Sequence, residues 1–405
     1  MSVGVKSFRG KRLQEARLAR GLYKNALADL IGVSGTAITR YEADEDKPQA
    51  ERLNALAKQL NFPVEFFSRP EWPDEKPLVF WRSRAAETKY AREMTEQRMT
   101  WLCELFSHLE REVDFPTYSM PDVGVPQDFR SITPEMIEGV AEEIRQEWKL
   151  WDYPVPDTML ALENAGIPVV SIEISSEKQD GFYFRSEMLG RPFVGINTYN
   201  VSAVRARYDA AHELGHAVFH GGVTRQQARD PALHKVLENQ AHRFAGAFIF
   251  PRSAFRKEVG MPTLDYFSSL KKRWGLSIAA MIYRAFDLGM IDETERGILY
   301  RNMTRRRWRG PLQEPFDSRA DMPLERPRMI RRAVETVIGD VPMGRSGLLS
   351  TFALPEKEIE QIASLDAGFF KMGEVVRLVT PKSQPIRALD VESGTVVEFP
   401  RRDRG

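Results

Sequence analysis

The chain has 405 residues, 58 Lys and Arg against 57 Asp and Glu, and a formal net charge of +1. That length fits two or three domains with a sizeable core, and the balance leaves only local basic patches to attract nucleic acid. The one cysteine, Cys103, excludes an intramolecular disulfide and suits a reducing cytosol. The first residues hold no apolar signal segment and no stretch is long and apolar enough to span a membrane, so the expectation is a cytoplasmic protein without a membrane partner.

Residues 9–68 read as short helices joined by tight turns. KRLQEARLARG turns Leu13, Ala16 and Leu18 inward. ALADLIGVSGTAITRYEAD holds two short helices around Gly32, the second capped by Ser34. Ile38 and Tyr41 fit a core-facing pair, which leaves Gly35, Thr36, Thr39 and Arg40 outside. Small polar groups and an arginine suit a helix lying in a major groove. The plainer reading is an ordinary helical bundle.

Pro70, Pro73 and Pro77 interrupt an extended segment, and residues 91–115 turn helical again with Trp101, Leu102, Leu105, Phe106 and Leu109 on one face. Thr133, Pro134 and Glu135 open a helix that runs to about Leu150. A short helix is expected over 157–165, strands over 167–172, 181–186 and 191–197, and helices over 201–221 and 232–249, the last stopped by Pro251. Residues 264–291 read as helix, turn at Gly275, helix. RNMTRRRWRG, residues 301–310, either touches phosphates or is a solvated face; ERPRMIRRAVE is a basic helix, and the last 30 residues alternate like short strands.

AAHELGHAVFH, residues 210–220, carries three of the six histidines. His212 and His216 stand one helical turn apart on one face. Two imidazoles and a third ligand around zinc leave one position for water, which Glu213 can deprotonate without being a ligand. His220 extends the face by another turn, too far along a straight helix to converge on the same ion. The flanking Ala210, Ala211, Leu214, Val218 and Phe219 bury the helix, and a buried histidine pair beside a glutamate is costly unless something pairs them. The next helix offers Glu238 and His242, again at i, i+4, as third ligand.

Residues 9–67 resemble the Xre/Cro-type helix-turn-helix domain at Leu27, Ala28, Gly32, Val33, Ser34, Ile38, Tyr41, Glu42 and Pro48, and depart from it at Tyr23 and Lys24. Lys24 is left as a point-charge phosphate contact. Residues from about 160 to 252 resemble the ImmA/IrrE family of zinc metallopeptidases in GFYF, VGINTYN, RARYDAAHELGHAVFH and ENQAHRFAGAFIFP. The resemblance puts the Zn2+ ligands on His212, His216 and Glu238 and the catalytic glutamate on Glu213; Tyr208 stands where the family has phenylalanine, and His242 where it has asparagine.

The expected fold is α+β. Residues 1–68 form an all-helical DNA-binding domain and 69–155 a helical linker region. Residues 156–300 form a zincin-like metallopeptidase domain with a small sheet, and 301–405 a helical and mixed extension. The resemblance implies a homodimer on a double-stranded DNA operator, and an endopeptidase that cuts an Xre-type repressor or related protein in a stress or mobile-element response. Residues 194–197, VGIN, are expected to pair with the extended substrate, and Tyr183 or Tyr208 to steady the oxyanion. Two other readings stay open: a transcription factor whose peptidase fold senses a ligand or metal, and an antitoxin-like autorepressor.

Overall fold

The computed structural model describes residues 4–73, 80–81, 89–172, 181–340 and 344–371. At the N-terminal end, α1 (Gly10–Ala19), α2 (Lys24–Ile31), α3 (Gly35–Glu42) and α4 (Ala50–Leu60) close around Leu13, Leu27, Ile38, Leu56 and Leu60, all fully buried. Ser34 accepts a hydrogen bond from the Ala37 amide at 3.2 Å and so fixes where α3 begins. A short 3-10 turn at Val64–Ser68 brings Phe66 and Phe67 under this head.

After β1 (Phe80–Trp81) comes α5 (Lys89–Leu109). Its expected apolar face, Trp101, Leu102, Leu105, Phe106 and Leu109, is buried throughout. The helix stops at Leu109, short of the expected residue 115, because residues 110–112 are charged and give it nothing apolar to bury. Trp101 lies edge-on to Phe62 and Phe66 of the head, with ring centres 5.7 and 5.9 Å away. On the other side Phe106 meets Phe193 of the sheet at 5.4 Å. The head is also anchored by charge. Arg12 donates to Glu15 at 2.8 Å and to Glu104 of α5 at 3.0 Å, and Trp101 Nε1 donates to Glu15 at 3.2 Å. Glu358 takes Arg20 of the head at 2.5 Å and Arg98 of α5 at 3.0 Å.

Next in the chain are α6 (Pro134–Glu147), α7 (Thr158–Asn164), β2 (Val169–Ile172), β3 (Gly181–Ser186) and β4 (Arg191–Asn197). Thr133 caps α6 as expected, accepting from the Met136 amide. The sheet order is β1-β3-β4-β2, with β2 and β4 parallel and the other pairs antiparallel. VGIN therefore lies in a central strand, paired with β3 on one side and β2 on the other. This corrects its expected role: an interior strand has no open row of amides and carbonyls for a substrate peptide to join. The signal was present, since every residue of β4 is buried, the pattern of a strand covered on both faces.

Behind the sheet run α8 (Ala203–Phe219), α9 (Arg225–Arg229) and α10 (Pro231–Ile249), then α11 (Arg252–Glu258), α12 (Leu264–Trp274), α13 (Ile278–Asp287) and α14 (Glu293–Arg305). Ser202 caps α8, and Asp230 caps α10 ahead of Pro231. The sheet's Val169, Val194 and Ile196 pack with Ala210, Ala211 and Leu214 of α8 and with Leu237, Phe244 and Phe248 of α10. The turn at Gly275 is left-handed, with φ of 64°. Last come α15 (Met329–Asp340), α16 (Gly344–Phe352) and α17 (Glu356–Ile362). The strands expected over the last 30 residues fall outside the described residues. Among the described residues no helix is long and apolar enough to cross a membrane.

One buried ion pair ties three helices of this body. Glu138 of α6 accepts from Arg284 of α13 at 2.7 Å, and Arg243 of α10 stands 3.4 Å away. The Glu138 and Arg284 side chains are 4% and 1% exposed, so removing one partner strands the other in a dry interior. Glu138→Ala is expected to cost ~3–5 kcal/mol, and the double change Glu138→Leu with Arg284→Met markedly less. Urea unfolding of the two variants checks the order.

Candidate metal centre and nucleic-acid face

Helix α8 presents His212, Glu213 and His216, all but fully buried. Helix α10 crosses it where Gly215 meets Ala241: a β-carbon on Gly215 would lie 3.1 Å from Ala241 Cα and 3.2 Å from Phe244 Cδ1. This close approach lets Glu238 of α10 reach both histidines. Its Oε2 lies 3.3 Å from His212 Nε2, and its Oε1 lies 3.3 Å from His216 Nε2. The two Nε2 atoms are 3.1 Å apart. Ligands held about 2.0–2.1 Å from a tetrahedral zinc stand about 3.3–3.4 Å from one another. The three residues therefore fit a tetrahedral ion in both spacing and donor type.

A wider set also exists. His212, Glu238 and His242 offer ligand atoms that all lie within 4.8 Å of one another. The two sets share His212 and Glu238. His242 is held from its far side, where the Tyr208 hydroxyl donates to its backbone carbonyl at 3.0 Å and lies 3.2 Å from its Nδ1. Tyr208 is thus directed at His242. Tyr183 lies in the sheet core, where burial pushes its phenol well above the ordinary range. Glu213 is 1% exposed. A β-carbon on Gly181 would come within 3.1 Å of its Oε1, so β3 begins directly over this carboxylate.

The sequence reading passed over two residues here. His234 Nε2 stands 3.9 Å from Glu238 Oε1, and the i, i+4 spacing of His234, Glu238 and His242 was the signal for it. Gln240, 7% exposed, bonds His220 at 3.0 Å and the Phe129 carbonyl at 2.7 Å. His220 caps α8 and meets His216, Nδ1 to Nδ1, at 2.8 Å. Burial first, and the neighbouring His216 second, hold His220 well below the ordinary imidazole range, so it stays neutral.

On the head, α3 turns Thr36, Thr39 and Arg40 to solvent. Thr39 Oγ1 donates to the Gly35 carbonyl at 3.2 Å, which leaves its lone pairs and methyl to face a partner. Arg40 is half exposed, with Asp46 at 4.0 Å. Gly35 is half-buried where α3 passes α2: a β-carbon there would lie 2.0 Å from Asn25 Oδ1. Lys24 leans on Glu42 at 3.3 Å, and Glu42 also accepts from Arg17 at 3.0 Å. In the arginine run after Tyr300, Arg306 pairs with Asp265 at 3.0 Å.

Comparison with known proteins matches residues 13–67 to the helix-turn-helix family and residues 162–286 to the IrrE N-terminal-like domain, a peptidase family. The HTH-type transcriptional regulators PuuR of Escherichia coli (strain K12) and of Shigella flexneri are each 41% identical to this chain over 71 residues. That alignment covers 17% of this chain and 38% of each regulator.

Glu238 and His242, one turn apart on α10, are the rival third ligands beside His212 and His216. Glu238→Ala is expected to lower zinc affinity by more than the roughly 10–100-fold that loss of an outer hydrogen-bond partner causes, and His242→Asn by no more than that. Chelator competition on the two variants measures both, and the reverse order would move the third ligand to His242.

Proposed function

For a chain that joins a helix-turn-helix DNA-binding domain to an IrrE-like peptidase-family domain, we propose a DNA-bound transcription regulator that hydrolyses a peptide bond in a repressor protein. The observation that carries this reading is the convergence of His212, His216 and Glu238 beside the buried Glu213. His212, His216 and Glu238 would hold a zinc ion. When bound, the ion supplies a Lewis acid for the scissile carbonyl and lowers the pKa of water. Glu213 takes the proton of the attacking water and passes it to the leaving amine. The Tyr208 hydroxyl, its hydrogen given to the His242 carbonyl, takes the His242 Nδ1 hydrogen and holds that ring beside the centre. The substrate class is an Xre-type repressor or related protein, cut in a stress or mobile-element switch in the cytoplasm.

The head, taken as residues 1–68, reads a short operator as part of a homodimer, since one small domain offers few base contacts. Thr36, Thr39 and Arg40 face the bases, while Lys24 and the Gly35 turn lie near phosphate. The regulators that the head resembles are named as HTH-type transcriptional regulators, in keeping with this role. The catalytic body is taken as residues 156–300, with 69–155 as the linker region and 301–405 as an extension. A second reading, metal sensing without appreciable proteolysis, draws on His242, whose place within 4.8 Å of His212 and Glu238 lets it compete for the open position.

Two variants test the two halves. Arg40→Ala should weaken binding to an operator selected from random duplexes by roughly 5–100-fold at one fixed salt concentration, the value of about 1–3 kcal/mol for one base contact. Equal affinity of variant and parent would remove α3 as the reader.

Glu213→Gln should keep about one zinc per chain while cleavage of a panel of purified Xre-type repressors, read as fragment masses, falls by roughly 10²–10⁴-fold. Loss of zinc would make Glu213 a ligand, and an unchanged rate would end its role as base.

A further inference from the structure

We propose that Gln240 and His220 are positioning residues that fix the tautomer of His216 and so present its bare Nε2 to the metal. The inference rests on the reading of His216 as a zinc ligand. The relay starts at a group with a single polarity. The Phe129 carbonyl can only accept, so the Gln240 atom 2.7 Å from it is the amide nitrogen. The Gln240 oxygen then faces His220 Nε2 at 3.0 Å, and that nitrogen must carry hydrogen. A neutral imidazole has one N–H, so His220 Nδ1 is left as an acceptor. His216 Nδ1, 2.8 Å away, must be the donor. Its own single hydrogen is then spent on that bond. His216 Nε2 is left with a lone pair, 3.1 Å from His212 Nε2 and 3.3 Å from Glu238 Oε1.

The alternative tautomer would put a hydrogen on Nε2, where it blocks ligation, and would set two lone pairs against each other at the Nδ1 contact. A metal-ligating histidine commonly donates its other N–H to an acceptor that fixes its orientation. Here that acceptor is another histidine, and a backbone carbonyl of the 3-10 turn at Phe129–Ser131 sets the direction of the whole relay. His220 thus takes a part that its distance along α8 denies it as a ligand. His220, Gln240 and the Phe129 carbonyl matter through bond polarity as well as through packing.

The full-length protein labelled with 15N-histidine provides the direct test. The 15N shifts should show a protonated Nδ1 on His216 and an unprotonated Nδ1 on His220. His220→Leu, which fills the volume but carries no polarity, should lower zinc affinity roughly 10–100-fold at unchanged stoichiometry. His220→Gln, whose amide can donate to Gln240 and accept from His216, should restore most of that affinity. An unprotonated His216 Nδ1 in the parent, or equal affinities for the leucine and glutamine variants, would overturn the relay while zinc uptake by the parent left the metal reading intact. A parent chain that takes up no zinc would instead overturn the metal reading itself, and the relay's purpose with it.

Discussion

Everything at the candidate centre depends on how closely α8 and α10 approach. A carboxylate on one helix reaches two imidazoles on another only if the backbones nearly touch. Gly215, inside the HELGH stretch, and Ala241, three residues after Glu238, are the pair that permits this. Packed interiors transmit added volume, so a larger residue at either position would part the helices and pull Glu238 off His212 and His216. The motif therefore carries a packing requirement inside a chemical one. Phe219 of α8 meets Phe244 of α10 edge-on at 5.6 Å further along the same interface.

Two helix starts were legible in the sequence because they depend on local chemistry. Ser34 and Thr133 each cap the helix that follows them. The histidine pair was legible because helical spacing alone puts i and i+4 on one face. The order of strands was not, since it depends on which chain segment reaches the sheet from elsewhere. VGIN was read as an edge for that reason, although the unbroken burial of β4 marks an interior strand. Gln240 was missed because its partners, Phe129 and His220, are far from it in sequence. The small helix α9 was missed because five residues give no period to read.

The candidate centre is built from imidazoles and carboxylates placed by neighbours. Five of the six histidines, all but His108, gather around Glu238 and Gln240. Buried polar groups of this kind are favourable only when each has a partner of the right polarity. The carbonyl at Phe129 and the amide of Gln240 supply that polarity from outside the helix that carries the motif, and the hydroxyl of Tyr208 supplies it from one turn earlier on that helix.

The head has its own fixed bearing. Arg12 is fully buried between Glu15 and Glu104, and Arg20 shares Glu358 with Arg98. Pulling a buried cation from its carboxylate costs several kcal/mol, more than a loose tether would demand. Phe62 and Phe66 close the same contact on Trp101. The recognition surface and α5 consequently rotate as one solid piece. If Thr36, Thr39 and Arg40 read a duplex as proposed, they meet it at an angle dictated by the body, and a twist of α5 against the sheet at Phe106 and Phe193 would turn them away from it without altering one of those side chains.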